Sequence, residues 1–174
     1  PRILGNPNRV FDFPLDLTQA PGTYTSGSIV ELFYIINKYH DLTYEFGFTE
    51  AAGNMQQDNF GRGGQPNDPV LAFAQMGGMF DNAFMMTTLD GASPTMVCLL
   101  FSGPTPMRDS VMDAEVVLHE NTHGMTERVL GGGGGVNYSA QSGGIHEGNS
   151  DWFAETILSE AGDDVNGNYP MGGY

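Results

Sequence analysis

An α+β fold is expected from three features of the 174-residue sequence. A helical period runs over "SIVELFYIINKYHDLTYEFG", a second over the stretch ending "VVLHENTHGMTER", and three short apolar runs between them are separated by Gly-rich or Pro-rich turns. Strands grouped between helices, without strict βαβ alternation, point to a small antiparallel or mixed sheet packed on a helix.

The elements are taken in chain order. Residues 1–25 carry Pro1, Pro7, Pro14 and Pro21 and form an extended lead-in, in which "VFDFPLDL" alternates as an edge strand would. From Ser28, the residues Ile29, Leu32, Phe33, Ile36 and Tyr39 fall at helical spacing, Ser28 with Glu31 makes a capping box, and Gly47 ends the region. Residues 53–69 have no period and read as a loop. The runs "VLAFAQ" (70–75), "NAFMMTT" (82–88) and "TMVCLLF" (95–101) are strand candidates. A helix is expected from Asp109 or Ser110, with Ser110 and Asp113 satisfying free amides, to about Leu130, where Gly131 to Gly135 stop it. That glycine run lacks a phosphate-loop lysine. A last helix fits His146 to Ala161, with Trp152, Phe153, Ile157 and Leu158 in the core and Gly162 as its stop.

Composition narrows the function classes. With 21 acidic and 6 basic residues the formal charge is −15, which repels phosphate backbones and anionic lipid surfaces, so neither nucleic acid nor membrane is an expected partner. No apolar run approaches the length of a membrane span. The sequence begins at Pro1 without an initiator Met or a signal-peptide pattern, as a processed or excised chain would. The single cysteine, Cys98, lies in an apolar strand candidate and reads as a buried residue. The ten methionines, Met85, Met86 and Met96 among them, read as packing.

The chemistry concentrates in H-E-x-x-H. On a helix, His119 and His123 at i and i+4 project from one face and can meet one ion, with Glu120 beside them. Two neutral imidazoles, an open position for water and a carboxylate to take the water's proton are what a zinc peptidase requires. An open catalytic site needs a third protein ligand, and "GGIHEGNSDWFAE" offers Glu147. Asp151, one turn on, suits an outer partner for a histidine ring N–H, and a nearby dication accounts for two acids at i,i+4. His146 is a rival imidazole that one position round the helix turns away from the ion. His40 reads as a hydrogen-bonded structural histidine.

Longer stretches carry a resemblance. "FDFPLDLTQAP", "LFYIINKYHDLTYEFGFTEAAGN", "NFGRGGQPNDPVLAFAQ", "PMRDSVMDAEVVLHENTHGMTERVLGG" and "GGIHEGNSDWFAE" resemble, in the same order, the fungalysin-type secreted zinc metallopeptidases, distant relatives of thermolysin. The resemblance covers about Phe11 to Glu155. It implies a thermolysin-like N-terminal lobe, zinc ligands His119, His123 and Glu147, and Glu120 as general base. E-x-x-S-D at Glu147 to Asp151 is similar to thermolysin's third-ligand helix, which supports Asp151 as the outer partner. "DNAFMMTT" resembles the edge strand on which substrate lies, implying substrate contacts at Asn82 and Ala83. In this family a Tyr usually follows the glutamate where this chain has Asn121, and a Gly and a Trp flank the third ligand where it has His146 and Asn149. The loop between His123 and Glu147 is slightly shorter than usual and lacks the family's cysteine.

The motif and the resemblance together imply a zinc-dependent endopeptidase that hydrolyses internal peptide bonds of protein substrates, secreted, and preceded by an inhibitory prodomain. Acidity and the sequon Asn137-Tyr138-Ser139 agree with secretion. The chain then reads as one partial catalytic domain: lead-in 1–25, sheet and active-site helix 26–145, and the start of a second, mostly helical lobe at 146–174. That lobe is expected to supply the oxyanion donors and much of the specificity pocket, and it is truncated here. The alternative is a catalytically inactive or incomplete zinc-stabilised peptide-binding homologue. A weaker one is calcium binding at the acidic tail "DDVNGN", which lacks the full D-x-[DN]-x-[DN]-G spacing.

Overall fold

A computed structural model describes residues 2–135 and 139–173. The sequon at Asn137 and Tyr138 lies outside the described residues. The fold is α+β. A 3₁₀ turn, Pro21–Thr23, leads into α1 (Thr25–Glu45). Five short strands come next, β1 (Leu71–Phe73), β2 (Ala83–Met86), β3 (Thr95–Cys98), β4 (Leu100–Phe101) and β5 (Arg108–Asp109). Helices α2 (Ala114–Gly131) and α3 (Ala140–Leu158) complete the order.

The sheet is mixed, in the order β1-β3-β2, with β1 parallel and β2 antiparallel to the central β3. β4 and β5 form a separate antiparallel pair. Met96 and Cys98 of β3 turn into a core shared with Leu32, Ile35 and Tyr39 of α1, Val117 and Leu118 of α2 and Ala154 of α3. Cys98 is a free, buried thiol whose burial pushes its pKa up to about 12, so it acts as a small apolar side chain.

Several local expectations give way. "VFDFPLDL" forms no strand: residues 10–17 are irregular and Phe11 is exposed, since no neighbouring strand offers a ladder and Pro14 has no N–H to donate. α1 starts at Thr25 rather than Ser28, because the turn begun by Pro21 runs directly into it. Ser28 is therefore buried inside the helix and makes no capping box with Glu31. The buried face of α1 is Ser28, Leu32, Ile35, Tyr39 and Thr43, which leaves Phe33 exposed. Asp109 and Asp113, not Ser110, do the capping ahead of α2. Asp109 accepts from Val111 N at the 3₁₀ turn Ser110–Met112, and Asp113 accepts from Glu115 N at the start of α2. α2 ends as expected, on Gly132 in the left-handed region.

The last helix starts six residues before His146 because Ser139 and Ser142 form a reciprocal capping box, and it stops at Leu158 rather than Ala161. Its outer face is exposed. Trp152 is 60% exposed and Leu158 41%, so of the expected core residues only Phe153 and Ile157 are half-buried.

The loops are tied to α2 by a buried ion pair. Arg128 Nη1 donates to Asp68 Oδ2 at 2.8 Å and to the Gly53 carbonyl at 3.2 Å, while Nη2 donates to the Ala92 carbonyl at 3.0 Å. The Arg128 side chain is 1% exposed and that of Asp68 is fully buried. Removing one partner strands the other charge away from water, so Asp68→Ala should destabilise the protein by about 3–5 kcal/mol in urea unfolding. Arg62→Ala, which removes a side chain that is 61% exposed and leaves Glu50 with donors from the Tyr44 hydroxyl and the Gln56 amide, should cost less than Asp68→Ala.

Candidate metal centre

Helix α2 presents His119 and His123 one turn apart, their rings edge-to-face at 4.5 Å. α3 packs across it and delivers Glu147, whose Oε2 lies 3.0 Å from His119 Nε2 and 3.2 Å from His123 Nε2. Among the described residues, one group of three or more His, Cys, Asp or Glu ligand atoms converges, His119, His123 and Glu147, with all three atoms within 4.8 Å of one another. Glu147 is 61% exposed, so the group opens to solvent on that side.

The outer ring nitrogens are held. His119 Nδ1 lies 2.7 Å from Asp151 Oδ1, and His123 Nδ1 lies 3.0 Å from the Ser150 hydroxyl. An Asp carboxylate only accepts, so His119 Nδ1 is the donor to Asp151, which leaves Nε2, facing Glu147, as the ring atom that could meet an ion. Burial pulls His123 down to about 4, helped by His119 beside it and opposed by Glu147, so this ring is neutral at physiological pH. Two imidazoles held at their outer nitrogens beside a carboxylate suit a zinc ion.

Glu120 is 6% exposed and its Oε2 is buried without a hydrogen-bond partner. Burial pushes its carboxyl up to about 8 and the neighbouring Glu147 charge adds to the rise, while the backbone amide of Met85 lowers it. That amide belongs to β2, which lies close over α2 because Gly124 has no side chain. A methyl at Gly124 would come within 2.7 Å of Met85 Cε and 3.2 Å of Met55 Cε.

Asn82 directly precedes β2 and Ala83 opens it, on the free edge of the sheet. The Asn82 carbonyl accepts from Leu99 N at 3.2 Å, and the Ala83 amide donates to the Asn82 side-chain oxygen at 3.0 Å instead of to β3. His40 is remote from the group, with Nε2 2.9 Å from Gln56 Oε1 and Nδ1 3.1 Å from Asp41. His146, expected to turn away, is 4% exposed and its ring lies against that of His123, 4.3 Å between centroids. The tail acids Asp163 and Asp164 accept from backbone amides of their own exposed turns.

The family model for fungalysin metallopeptidases (M36) matches residues 3–174. The chain belongs to the fungalysin metallopeptidase family. An extracellular metalloproteinase, MEP, of Pyricularia oryzae is 40% identical over 170 residues, which is 96% of this chain and 27% of that protein. Extracellular metalloproteinase 3 of Trichophyton soudanense is 40% identical over 172 residues, 97% of this chain and 44% of its own length. Extracellular metalloproteinase 2 of Phaeosphaeria nodorum is 41% identical over 164 residues, 92% and 26% respectively. This chain therefore spans less than half the length of these fungalysin relatives.

Ser150 is a site residue that the sequence pattern does not single out, although it occupies the fourth position of E-x-x-S-D, one turn from Glu147. The placing of His146 had no local signal, because it depends on how α3 crosses α2.

Two titrations of the metal-free protein are expected from these shifts. The folded pKa of His123 lies below its ordinary 6.5, so the unfolded chain holds more protons and stability falls as pH drops from 6.5 towards 4. That of Glu120 lies above its ordinary 4.5, so the folded chain holds the extra proton and stability falls as pH rises from 4.5 to 8. The two oppose each other between 4.5 and 6.5, and Glu120 acts alone above that. Chelator-treated protein should lose stability between pH 6.5 and 8, with a shallower loss in Glu120→Gln. Parallel urea-unfolding slopes for the two proteins would contradict the raised Glu120 pKa.

Proposed function

We propose that this chain carries the metal centre of a secreted zinc-dependent endopeptidase that cleaves internal peptide bonds of protein substrates. The observation that carries the reading is the meeting of His119, His123 and Glu147 beside a buried carboxylate, Glu120, with one oxygen uncommitted. Its membership of the fungalysin family and the names of its relatives support the same reading.

In this mechanism His119, His123 and Glu147 hold the ion, and Asp151 keeps the His119 tautomer fixed. Zinc, when bound, supplies a Lewis acid that polarises the scissile carbonyl and acidifies water. Glu120 accepts the proton of the attacking water and passes it to the leaving amine. The substrate lies along the free edge of β2 at Asn82 and Ala83, where backbone pairing accepts many sequences.

In the same proposal the 174 residues are part of one catalytic domain. The exposed apolar side of α3, with Ile145 and Trp152, is where a second lobe packs and completes the oxyanion and specificity sites. An N-terminal prodomain holds the enzyme inactive before cleavage. A second reading, a zinc-stabilised module that binds peptide without cutting it, is favoured by the openness of the site at Glu147 and the departures at Asn121 and Asn149.

Casein hydrolysis by the full-length protein separates the two. Wild type should be active, blocked by chelator and restored by zinc, and Glu120→Gln should keep its zinc while losing roughly 10²-fold or more in kcat/KM. A Glu120→Gln protein with wild-type turnover would refute the mechanism, and a zinc-loaded wild type without turnover would favour the binding module. Elemental analysis should find one zinc per chain, greatly reduced in His123→Ala and Glu147→Ala.

A further inference from the structure

His146 is a departure from the family pattern, and nothing in the proposed chemistry uses it. Its ring packs against that of His123, tilted 31° with 4.3 Å between centroids. His146 Nε2 lies 3.9 Å from Glu127 Oε1. Glu127 is itself 5% exposed and accepts a hydrogen bond from the hydroxyl of Thr87, the residue just after β2. Thr87, Glu127 and His146 thus form a buried cluster beside His123.

We propose that His146 is a positioning residue for His123, bracing the ring so that its Nε2 stays aimed at the ion. The inference rests on the zinc-peptidase reading. An imidazole can rotate about its Cβ–Cγ bond, and the terminal torsion of histidine is broad. The Ser150 hydroxyl restrains the ring at Nδ1, 3.0 Å away. It is a single contact within the ring plane. The His146 face blocks the rotation that would swing Nε2 away from Glu147 Oε2, 3.2 Å off. Glu127, which accepts from Thr87, packs beside the His146 ring. Because His146 and Glu147 are adjacent on α3, one turn of helix delivers both a ligand and the brace for another ligand. A brace of this kind acts on metal affinity before it acts on turnover, as partners that orient metal-binding histidines do.

The test is zinc affinity of the full-length protein, measured by competition with a chromogenic chelator, with the visible spectrum of the cobalt(II)-substituted protein as a second readout. His146→Ala, which removes the face, should weaken zinc binding by about 10- to 100-fold and alter the cobalt spectrum. His146→Phe, which restores a ring without imidazole chemistry, should stay within about 3-fold of wild type, with an unchanged spectrum. Wild-type affinity and spectrum in His146→Ala would overturn the proposal. So would a folded His146→Phe protein that binds no better than His146→Ala. Should the alanine variant fail to fold, His146→Leu, which keeps bulk but removes the flat ring, carries the test, and wild-type affinity with an unchanged cobalt spectrum there would count against the brace. A wild-type protein that binds no zinc would instead bring down the peptidase reading on which the brace depends.

Discussion

The register between α2 and α3 is the constraint on which the site depends. Two of the three donor atoms belong to one helix and the third to another, so a local sequence pattern can align His119 with His123 but cannot bring Glu147 to them. The contacts that set this register also orient the ligands. Asp151 of α3 reaches His119 on α2, Ser150 of α3 reaches His123, and Asn149 of α3 donates to the Thr126 hydroxyl on α2 at 3.1 Å. Three successive residues of α3 thus hold α2, and the turn of α3 just before them carries the candidate ligand Glu147. A slip of one residue along α3 would rotate these groups by about 100° and disperse all of them.

The other end of α2 is held by charge. Arg128 satisfies carbonyls and a carboxylate from two loops that have little regular structure of their own, the segment around Gly53 to Asp68 and the turn near Ala92. A loop-rich chain with 25 glycines must order its backbone at considerable entropic cost, and a buried guanidinium that collects several acceptors offsets part of it. Tyr39 does the corresponding task on the third side, where its hydroxyl lies 3.0 Å from Thr122 of α2 inside the core. α2 is consequently anchored along its length. That anchoring lets Gly124 and Met85 set the spacing between the edge strand and Glu120 without side-chain bulk between them.

Much of the frame was legible because it rests on local rules. The first two short apolar runs became β1 and β2 and the third split into β3 and β4 of separate sheets, the H-E-x-x-H spacing placed two imidazoles on one helical face, and the glycine run after Leu130 ended α2. The failures were also local readings, overridden by context. Ser28 and Glu31 look like a capping box, but the turn at Pro21 had already started the helix. "VFDFPLDL" alternates like a strand, yet alternation without a neighbour to pair with makes no ladder. Trp152 keeps the helical period of a core residue and stands exposed, since periodicity marks a face and not what covers it.

By itself, the sequence determined the chemistry available: which residues can ligate and which can take a proton. These are properties of side chains and of spacings shorter than two helical turns, and they survive any arrangement of the rest. Only the tertiary structure decided that Glu147 rather than His146 meets both Nε2 atoms, that His146 lies against His123, and that Glu120 is buried enough to titrate near neutrality. Each of those depends on the crossing of two helices and on desolvation by residues distant in the chain, neither of which a local pattern encodes.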